Sequence, residues 1–203
     1  MGLTVYARVR SNGSAIALVS LRKTRVRTGG SLSNNKHRVI MANLFPETSG
    51  ALFSPCARYR YRLWRVWNPD RPSLLFVMLN PSTADEIDND PTVERCQRRA
   101  VAMGYGGLQV CNIFAWRSTD PSALYGLEDP VGPDNDEAIL AAAGESGLVV
   151  CGWGTHGNLM GRGEAVLRLL RAQGVVPHAL KINEDGTPGH PLYVSYQTQP
   201  APW

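Results

Sequence analysis

Short apolar runs alternate with amphipathic stretches along the second half of the chain. Each continuous apolar run predicts a strand buried on both faces, and each amphipathic stretch predicts a helix. The strands are predicted at residues 74–79, 108–114, 147–151 and 177–182. The helices are predicted at residues 90–103, 134–143 and 163–173. This alternation predicts an α/β fold, a three-layer sandwich around a central, mostly parallel four-stranded sheet.

A different pattern precedes these elements. Residues 58–67 alternate between two faces, as in a strand with one solvated side. One face carries Tyr59, Tyr61 and Leu63, and the other carries Arg58, Arg60 and Arg62. We predict a half-exposed N-terminal edge strand. Its arginines are candidates for contacts with DNA phosphates, or they form an ordinary solvated face.

Charge divides the chain into two parts. Residues 1–40 contain eight Lys and Arg and no acidic residue, whereas residues 41–203 contain the other 13 of the 21 basic residues and all 17 acidic ones, a net charge of −4. We therefore predict a basic, disordered leader at 1–40 and a single domain at 41–203. A nucleic-acid-binding arm, a secretory signal and an artefact of start-site choice are alternatives for the leader.

The cysteines and the apolar runs limit the class of protein further. Cys56, Cys96, Cys111 and Cys151 form no Cys-x-x-Cys pair, so we interpret them as small core residues and expect no metal or redox cofactor. The chain has no run of about 18 consecutive apolar residues, so we expect no contact with membranes. No export signal is favoured, and we expect a cytoplasmic protein.

Polar residues and glycines follow each predicted strand. In parallel sheets the ligand site lies outside the carboxyl ends of the strands, so these groups are expected to converge on one crevice. They are Asn80 to Asp85, Asn112, the Gly152-Trp153-Gly154 segment with Thr155 and His156, and His190. Each has a structural alternative: an Asx turn at Asn80, a loop cap at Asn112, a tight turn at the glycines and a surface position for either histidine.

Two charged clusters are also candidates for chemistry. Asp85 could activate a water molecule, whereas Asp88 and Asp90 read as caps of the helix that follows. A cluster of arginines on that helix could contact phosphates or form a solvated face. It comprises Arg95, Arg98 and Arg99.

Several motifs together resemble a bacterial and phage family called domain of unknown function 1643 (DUF1643). They are Met78-Leu-Asn-Pro-Ser-Thr-Ala-Asp85, Asp90-Pro-Thr-Val93, Asn112-Ile-Phe114 and Cys151-Gly-Trp-Gly154. The resemblance covers residues 59–194, and the family name implies no activity.

The order of the motifs is also similar to that of the uracil-DNA glycosylase superfamily, which implies a fold and a set of roles. Asn80 with Pro81, Ser82 and Thr83 would form the first motif and hold the attacking water, with help from Asp85. Asn112 would read the base, Phe114 or Trp116 would stack on it, and Gly152, Trp153 and Gly154 would line the pocket. His190 would stabilise the departing base, and Leu192 or Tyr193 would wedge into the duplex. The sequence departs from the superfamily in lacking the aspartate of the classical first motif, and in having Leu192 after His190-Pro191.

This resemblance implies a hydrolase that cleaves the N-glycosidic bond of a damaged or modified base in DNA, without a cofactor. Two alternatives stay open. One is an enzyme on the same scaffold that acts on free or hypermodified nucleotides, and the other is a nucleic-acid-binding module without chemistry.

Overall fold

A mixed sheet of eight strands forms the middle layer of the protein in a computed structural model, which describes residues 6–8, 49–85 and 87–203. The strands are β1 (Tyr6–Arg8), β2 (Ser49–Phe53), β3 (Arg60–Val66), β4 (Ser73–Met78), β5 (Gly107–Asn112), β6 (Ser146–Cys151), β7 (His178–Ala179) and β8 (Ala201–Pro202). Their order across the sheet is β1-β2-β3-β5-β4-β6-β7-β8. Strands β5, β4, β6 and β7 pair in parallel, and the other four strands join them antiparallel.

Helices cover both faces of this sheet. They are α1 (Pro91–Ala102), α2 (Asn135–Gly144) and α3 (Arg162–Ala172), and short 3-10 helices lie at Pro121–Gly126, Thr155–Gly161 and Pro191–Tyr193. Helix α1 begins where predicted, because the Asp90 side chain accepts hydrogen bonds from the amides of Thr92 and Val93 while Pro91 occupies the first helical position. All three predicted helices are confirmed, and each observed end lies within two residues of its predicted position.

Two hydrophobic cores explain why the central strands are apolar throughout. Leu75 and Val77 of β4 pack in the core beneath α2 and α3. Leu74 and Phe76 of the same strand pack in the core beneath α1. Because β4 is buried on both faces, its sequence lacks the alternation of a half-exposed strand. The α/β class with helices on both sides of the sheet is confirmed.

The predicted extent of the sheet is wrong. The sheet is mixed and has eight strands, whereas four central strands and one edge strand were predicted, and residues 60–66 do not form an edge strand. Strand β3 instead lies between β2 and β5 and pairs with both. Strand β2, with the sequence Ser-Gly-Ala-Leu-Phe, is too short for its pattern to have predicted it.

A bulge in β3 changes the direction of its side chains. Leu52 of β2 pairs with Arg62, but the next residue, Phe53, pairs with Arg60, so Tyr61 is an extra residue in β3. Beyond a bulge of this kind, each side chain points to the opposite face of the sheet from the one that regular alternation would give. Arg60 therefore points to the α1 side of the sheet with Leu63, whereas Tyr61 packs near α2. The predicted two-face pattern of residues 58–63 breaks at this position.

The predicted leader falls mostly outside the described residues. Three of its residues, Tyr6–Arg8, form β1 and pair with β2. Among the residues that the structure describes, no helix is long and apolar enough to cross a membrane. Cys96, Cys111 and Cys151 are buried, as predicted for core residues, whereas Cys56 is exposed.

Candidate functional site

A cavity of about 520 Å³ opens at the carboxyl ends of β4 and β6. The chain leaves β4 through α1 to β5 on one side and then returns through α2 to β6 on the other side. This reversal is a topological switch point, the place where open α/β sheets bind ligands. The loops after β4, β6 and β7 and the start of α1 line the cavity, and its volume suits a ligand the size of a nucleotide.

Asn80 lines the cavity directly after β4. Its side-chain nitrogen donates to two backbone carbonyls, at 2.8 Å to Ser118 and 3.2 Å to Pro81. These two acceptors fix the orientation of the amide, because the nitrogen must face them. The amide oxygen makes no hydrogen bond with a described residue and is left as an acceptor for a ligand or a water molecule.

His190 reaches the same cavity from the loop after β7. Its Nδ1 accepts a hydrogen bond of 3.4 Å from the backbone amide of Leu192, which places the proton of the neutral ring on Nε2. Burial lowers the pKa of His190, and the negative charge of Asp90 offsets part of that effect. The ring is therefore a neutral donor near pH 7. Tyr193, which is 83% exposed, lies beside it with ring centroids 5.9 Å apart.

Arg60 is buried at the inner end of the cavity. Its guanidinium donates to the carbonyl of Ala84 at 2.6 Å and to Oδ1 of Asn112 at 3.4 Å, and its Nε has no partner. Burial lowers the pKa of Arg60 to about 10, although Asp90 favours the charged form. Its interior position corrects the prediction that Arg60 is a surface contact to DNA.

Asn112 stands behind Arg60 and does not line the cavity. It is 1% exposed, and its side-chain nitrogen is buried without a partner. The predicted direct contact between Asn112 and a base is therefore not available in this arrangement. Phe114 is likewise fully buried in the core beneath α2 and cannot stack on a ligand.

Asp90 carries the single carboxylate among the described residues that line the cavity. One of its oxygens accepts from the amides of Thr92 and Val93 at 2.9 and 2.8 Å, and the other has no hydrogen bond to the described residues. The sequence correctly indicated the capping role. It did not indicate that the cap faces the cavity, although a helix that follows a parallel strand normally begins at the crevice.

Asp85 does not reach the cavity. One of its carboxylate oxygens accepts hydrogen bonds of 2.8 Å from the amides of Ile87 and Asp88, so the side chain closes a local turn. Burial raises the pKa of Asp85, but the two amides and the charges of Arg65 and Arg117 together lower it, and the net direction is downward. Its backbone carbonyl accepts from Arg65. The predicted role of Asp85 in holding the water is not supported by this placement.

The Gly152-Trp153-Gly154 segment shapes the wall after β6. Trp153 and Gly154 line the cavity, and Gly154 has the positive φ of 71° that favours glycine. Gly152 instead contacts the His190-Pro191 segment, since a methyl group at this position would lie 2.8 Å from the Pro191 ring. Gly152 therefore allows the close approach of that loop and is not a ligand contact.

A shallower pocket of about 460 Å³ adjoins the cavity, sharing Ser82, Ser118 and Thr119 with it. Several residues predicted for the site meet here and not in the main cavity. They are Arg58, Thr83 and Trp116. The Arg58 guanidinium lies 5.7 Å from the centroid of the Trp116 ring.

Three further predicted residues lie apart from both pockets. Pro81 is buried, and its carbonyl accepts from the amide of Ser118 at 2.9 Å. Arg62 forms an ion pair with Glu145 at the end of α2. Leu192 is half-buried beside His190. Conversely, Thr92 in the first turn of α1 and Lys181 in the loop after β7 line the cavity and were not predicted as site residues.

Arginines of α1 hold the segment that carries His190. Arg95 donates to the carbonyls of Pro191 and Val194 at 3.0 and 2.7 Å. Arg99 donates to the carbonyls of Val194 and Ser195 at 2.7 Å each, and to that of Thr198 at 3.1 Å. Of the predicted arginine cluster, these two bind backbone and are not free for phosphates. Arg98 is exposed and pairs with Glu94.

These features define an α/β protein with a nucleotide-sized cavity at the switch point of a mixed sheet. The chain belongs to the family described as "Protein of unknown function (DUF1643)", whose model matches residues 60–192. Neither the curated proteins nor the solved structures include a match to the chain. Within residues 49–85 and 87–203, no three His, Cys, Asp or Glu side chains are arranged to hold a metal ion.

Proposed function

We propose that the protein hydrolyses the N-glycosidic bond of a damaged or modified nucleobase in DNA. The observation that carries this proposal is that Asn80 and His190 line the same cavity. Asn80 offers a fixed acceptor oxygen, and His190 offers a neutral N–H donor. Hydrolysis needs both kinds of group, because an attacking water must be oriented while charge develops on the departing base.

In the proposed reaction, the hydroxyl of water adds to the anomeric carbon of the sugar and the N-glycosidic bond breaks. The base leaves with the bonding electron pair and finally takes the remaining proton of the water. The Asn80 oxygen accepts a hydrogen bond from the attacking water. The Nε2–H of His190 donates a hydrogen bond to the base as its negative charge develops.

The shallow pocket supports a polynucleotide substrate. It continues from the cavity mouth past Arg58 and Trp116, a cation and an aromatic ring of the kind that binds a single strand. Tyr193 at the other side of the mouth is exposed and could stack on a flipped base or fill its place in the duplex.

The experiment is a search for base excision. The full chain is incubated with oligonucleotides that carry uracil, hypoxanthine or 5-hydroxymethyluracil, in single strands and in duplexes, and abasic sites are revealed by alkaline cleavage. We expect Asn80→Ala to reduce the rate by about 10²-fold or more while DNA affinity stays within about threefold. Asn158→Ala serves as the control, because Asn158 is exposed and does not line the cavity. Equal losses in rate and affinity would contradict the role given to Asn80.

A second candidate function is hydrolysis of free nucleotides. It is favoured by the acidic charge of the domain and by the internal use of Arg60, Arg95 and Arg99, which leaves fewer cations for DNA. Salt discriminates between the two substrates, since DNA affinity should fall steeply as salt rises. Arg58→Gln should weaken DNA binding and flatten its salt dependence, but it should not affect the hydrolysis of a nucleotide. Arg168→Gln on α3, exposed and paired with Glu164, is the matched control.

A further inference from the structure

The charge balance of the cavity is unusual for a buried site. Arg60 is 1% exposed and lines the cavity, yet it forms no ion pair with a described carboxylate. The negative charge of Asp90 acts on Arg60 through space and favours its charged form. Buried charges are normally paired, because an unpaired cation loses the solvation that water would provide. The cavity therefore contains a cation whose hydrogen-bonding capacity is incompletely used.

The N–H donors of Arg60 that lack a partner can be identified individually. A guanidinium has five N–H donors, and Arg60 directs one to the Ala84 carbonyl and one, at a long 3.4 Å, to Asn112. Its Nε has no partner but is enclosed by protein, so the donors left for a ligand are the remaining N–H groups of the two terminal nitrogens. The bulge at Tyr61 is the feature that turns this side chain inward. Bulges often re-aim side chains next to functional sites.

A second cation lines the same cavity. Lys181 enters from the loop after β7, is exposed, and makes no hydrogen bond or ion pair with the described residues. Hydroxyl groups of Ser82, Thr92 and Thr155 also line the cavity. Asp90 is the opposing charge, and one of its oxygens is already bound by two amides of α1. Cations thus outnumber carboxylates in a domain that is acidic as a whole.

We infer that this cavity binds a phosphate group of its ligand between Arg60 and Lys181. An arginine fork matches the oxygens of phosphate, lysine adds a mobile charge, and hydroxyls can donate to the remaining oxygens. The phosphate belongs either to a free nucleoside monophosphate or to the DNA backbone beside a flipped nucleotide. The inference uses the cavity of the proposed function, but it concerns binding and is tested without catalysis.

The test is calorimetric titration of the full chain at low salt. The ligands are inorganic phosphate, the 5′-monophosphates dUMP, dTMP, dAMP and dGMP, their four nucleosides, and a single-stranded oligonucleotide without terminal phosphate. We expect phosphate to raise affinity at least about tenfold, as one charge-assisted contact would. A preference for the monophosphates over their nucleosides would show that the bound phosphate belongs to a free nucleotide. Tight binding of the oligonucleotide alone, lost in Lys181→Gln, assigns the DNA backbone.

Variants separate a binding role from a structural one. Lys181→Gln should remove most of the phosphate preference without a change in melting temperature, because Lys181 is exposed. Arg60→Lys should weaken phosphate binding while retaining the charge, since lysine cannot form the fork. If that variant fails to fold, the phosphate preference of Lys181→Gln alone tests the inference. Arg168→Gln is the control that should leave binding unchanged.

Some outcomes would overturn the inference. Measurable binding of the nucleosides as tight as that of their monophosphates would do so. A lack of binding by every phosphate-bearing ligand, the oligonucleotide included, would also do so, as would a phosphate preference that persists in Lys181→Gln. Phosphate-dependent binding without base excision would support the phosphate site and count against the proposed reaction. Excision without phosphate preference would support the reaction and refute the site.

Discussion

Removing the Arg99 side chain should release the segment that carries His190. Arg99 lies on α1 and is 3% exposed. Its guanidinium donates to the carbonyls of Val194 and Ser195 at 2.7 Å, and to that of Thr198 at 3.1 Å. Its charge also faces the Tyr196 ring, 5.3 Å from the centroid. In Arg99→Ala, the carbonyls of Ser195 and Thr198 lose this donor together, whereas the carbonyl of Val194 keeps its bond from Arg95.

The expected loss of stability in Arg99→Ala follows from these hydrogen bonds. A hydrogen bond to a charged group contributes roughly 1.5–3 kcal/mol. The two 2.7 Å bonds set the scale. The lower end is favoured because the Val194 carbonyl keeps its bond from Arg95 and the freed carbonyl of exposed Ser195 can turn to water. We therefore expect the free energy of unfolding to fall by about 3 kcal/mol. The melting temperature should fall by roughly 6–12 °C for a domain of this size.

The neighbouring arginine provides a matched control. Arg98 is on the same helix, but its side chain is 66% exposed and its partner is Glu94. Exposed pairs of this type contribute little to stability, so Arg98→Ala should leave the urea midpoint unchanged within error. Urea denaturation measures the global effect, and hydrogen exchange of residues 190–198 measures the local release. If Arg99→Ala behaves like Arg98→Ala in both measurements, the holding role of Arg99 is refuted.

Three other predictions concern single side chains. Asp90→Ala should cost about 1 kcal/mol relative to Asp90→Asn in chemical denaturation, because asparagine can still cap α1 and alanine cannot. Cys56 should alkylate with a midpoint near pH 7, since the Ser54 hydroxyl and then Arg58 lower its pKa to about 7, and Ser54→Ala should raise that midpoint. Burial lowers the pKa of His190 below 6.5, so the neutral ring is favoured in the folded state. The contribution of His190 to stability should therefore be present above about pH 6.5 and be lost as the pH falls below that value. His190→Gln should flatten this pH dependence of the melting temperature.

Local signals were sufficient to predict most of the elements around the site. The Asp90-Pro91 pair fixed the start of α1, and the unbroken apolar run of β4 indicated burial on both faces. The placement of Asn80 and His190 followed from a general property of parallel strands, whose carboxyl ends meet at one edge of the sheet. Both residues do line the cavity.

What the sequence did not reveal depends on contacts between distant segments. Arg60 reads as a surface residue because strand alternation assumes that no residue is inserted, and the bulge is defined only by pairing with β2. Asn112 ends its strand as predicted, but Arg60 then covers it. Likewise, nothing in the local pattern of α1 indicates that Arg99 binds carbonyls almost a hundred residues later.

The uses of arginine in this fold bear on how its ligand is selected. Arg60, Arg95 and Arg99 each donate to backbone carbonyls inside the fold, so these three arginines add little to a cationic surface. Two cations, Arg60 and Lys181, line the cavity, and Arg58 lies in the shallow pocket beside it. Residues 41–203, with a net charge of −4, would bind nonspecific DNA weakly, because nonspecific affinity comes from many surface contacts with phosphates. Selection would then depend on whether a nucleotide enters the cavity, where one buried arginine is already oriented by the carbonyl of Ala84.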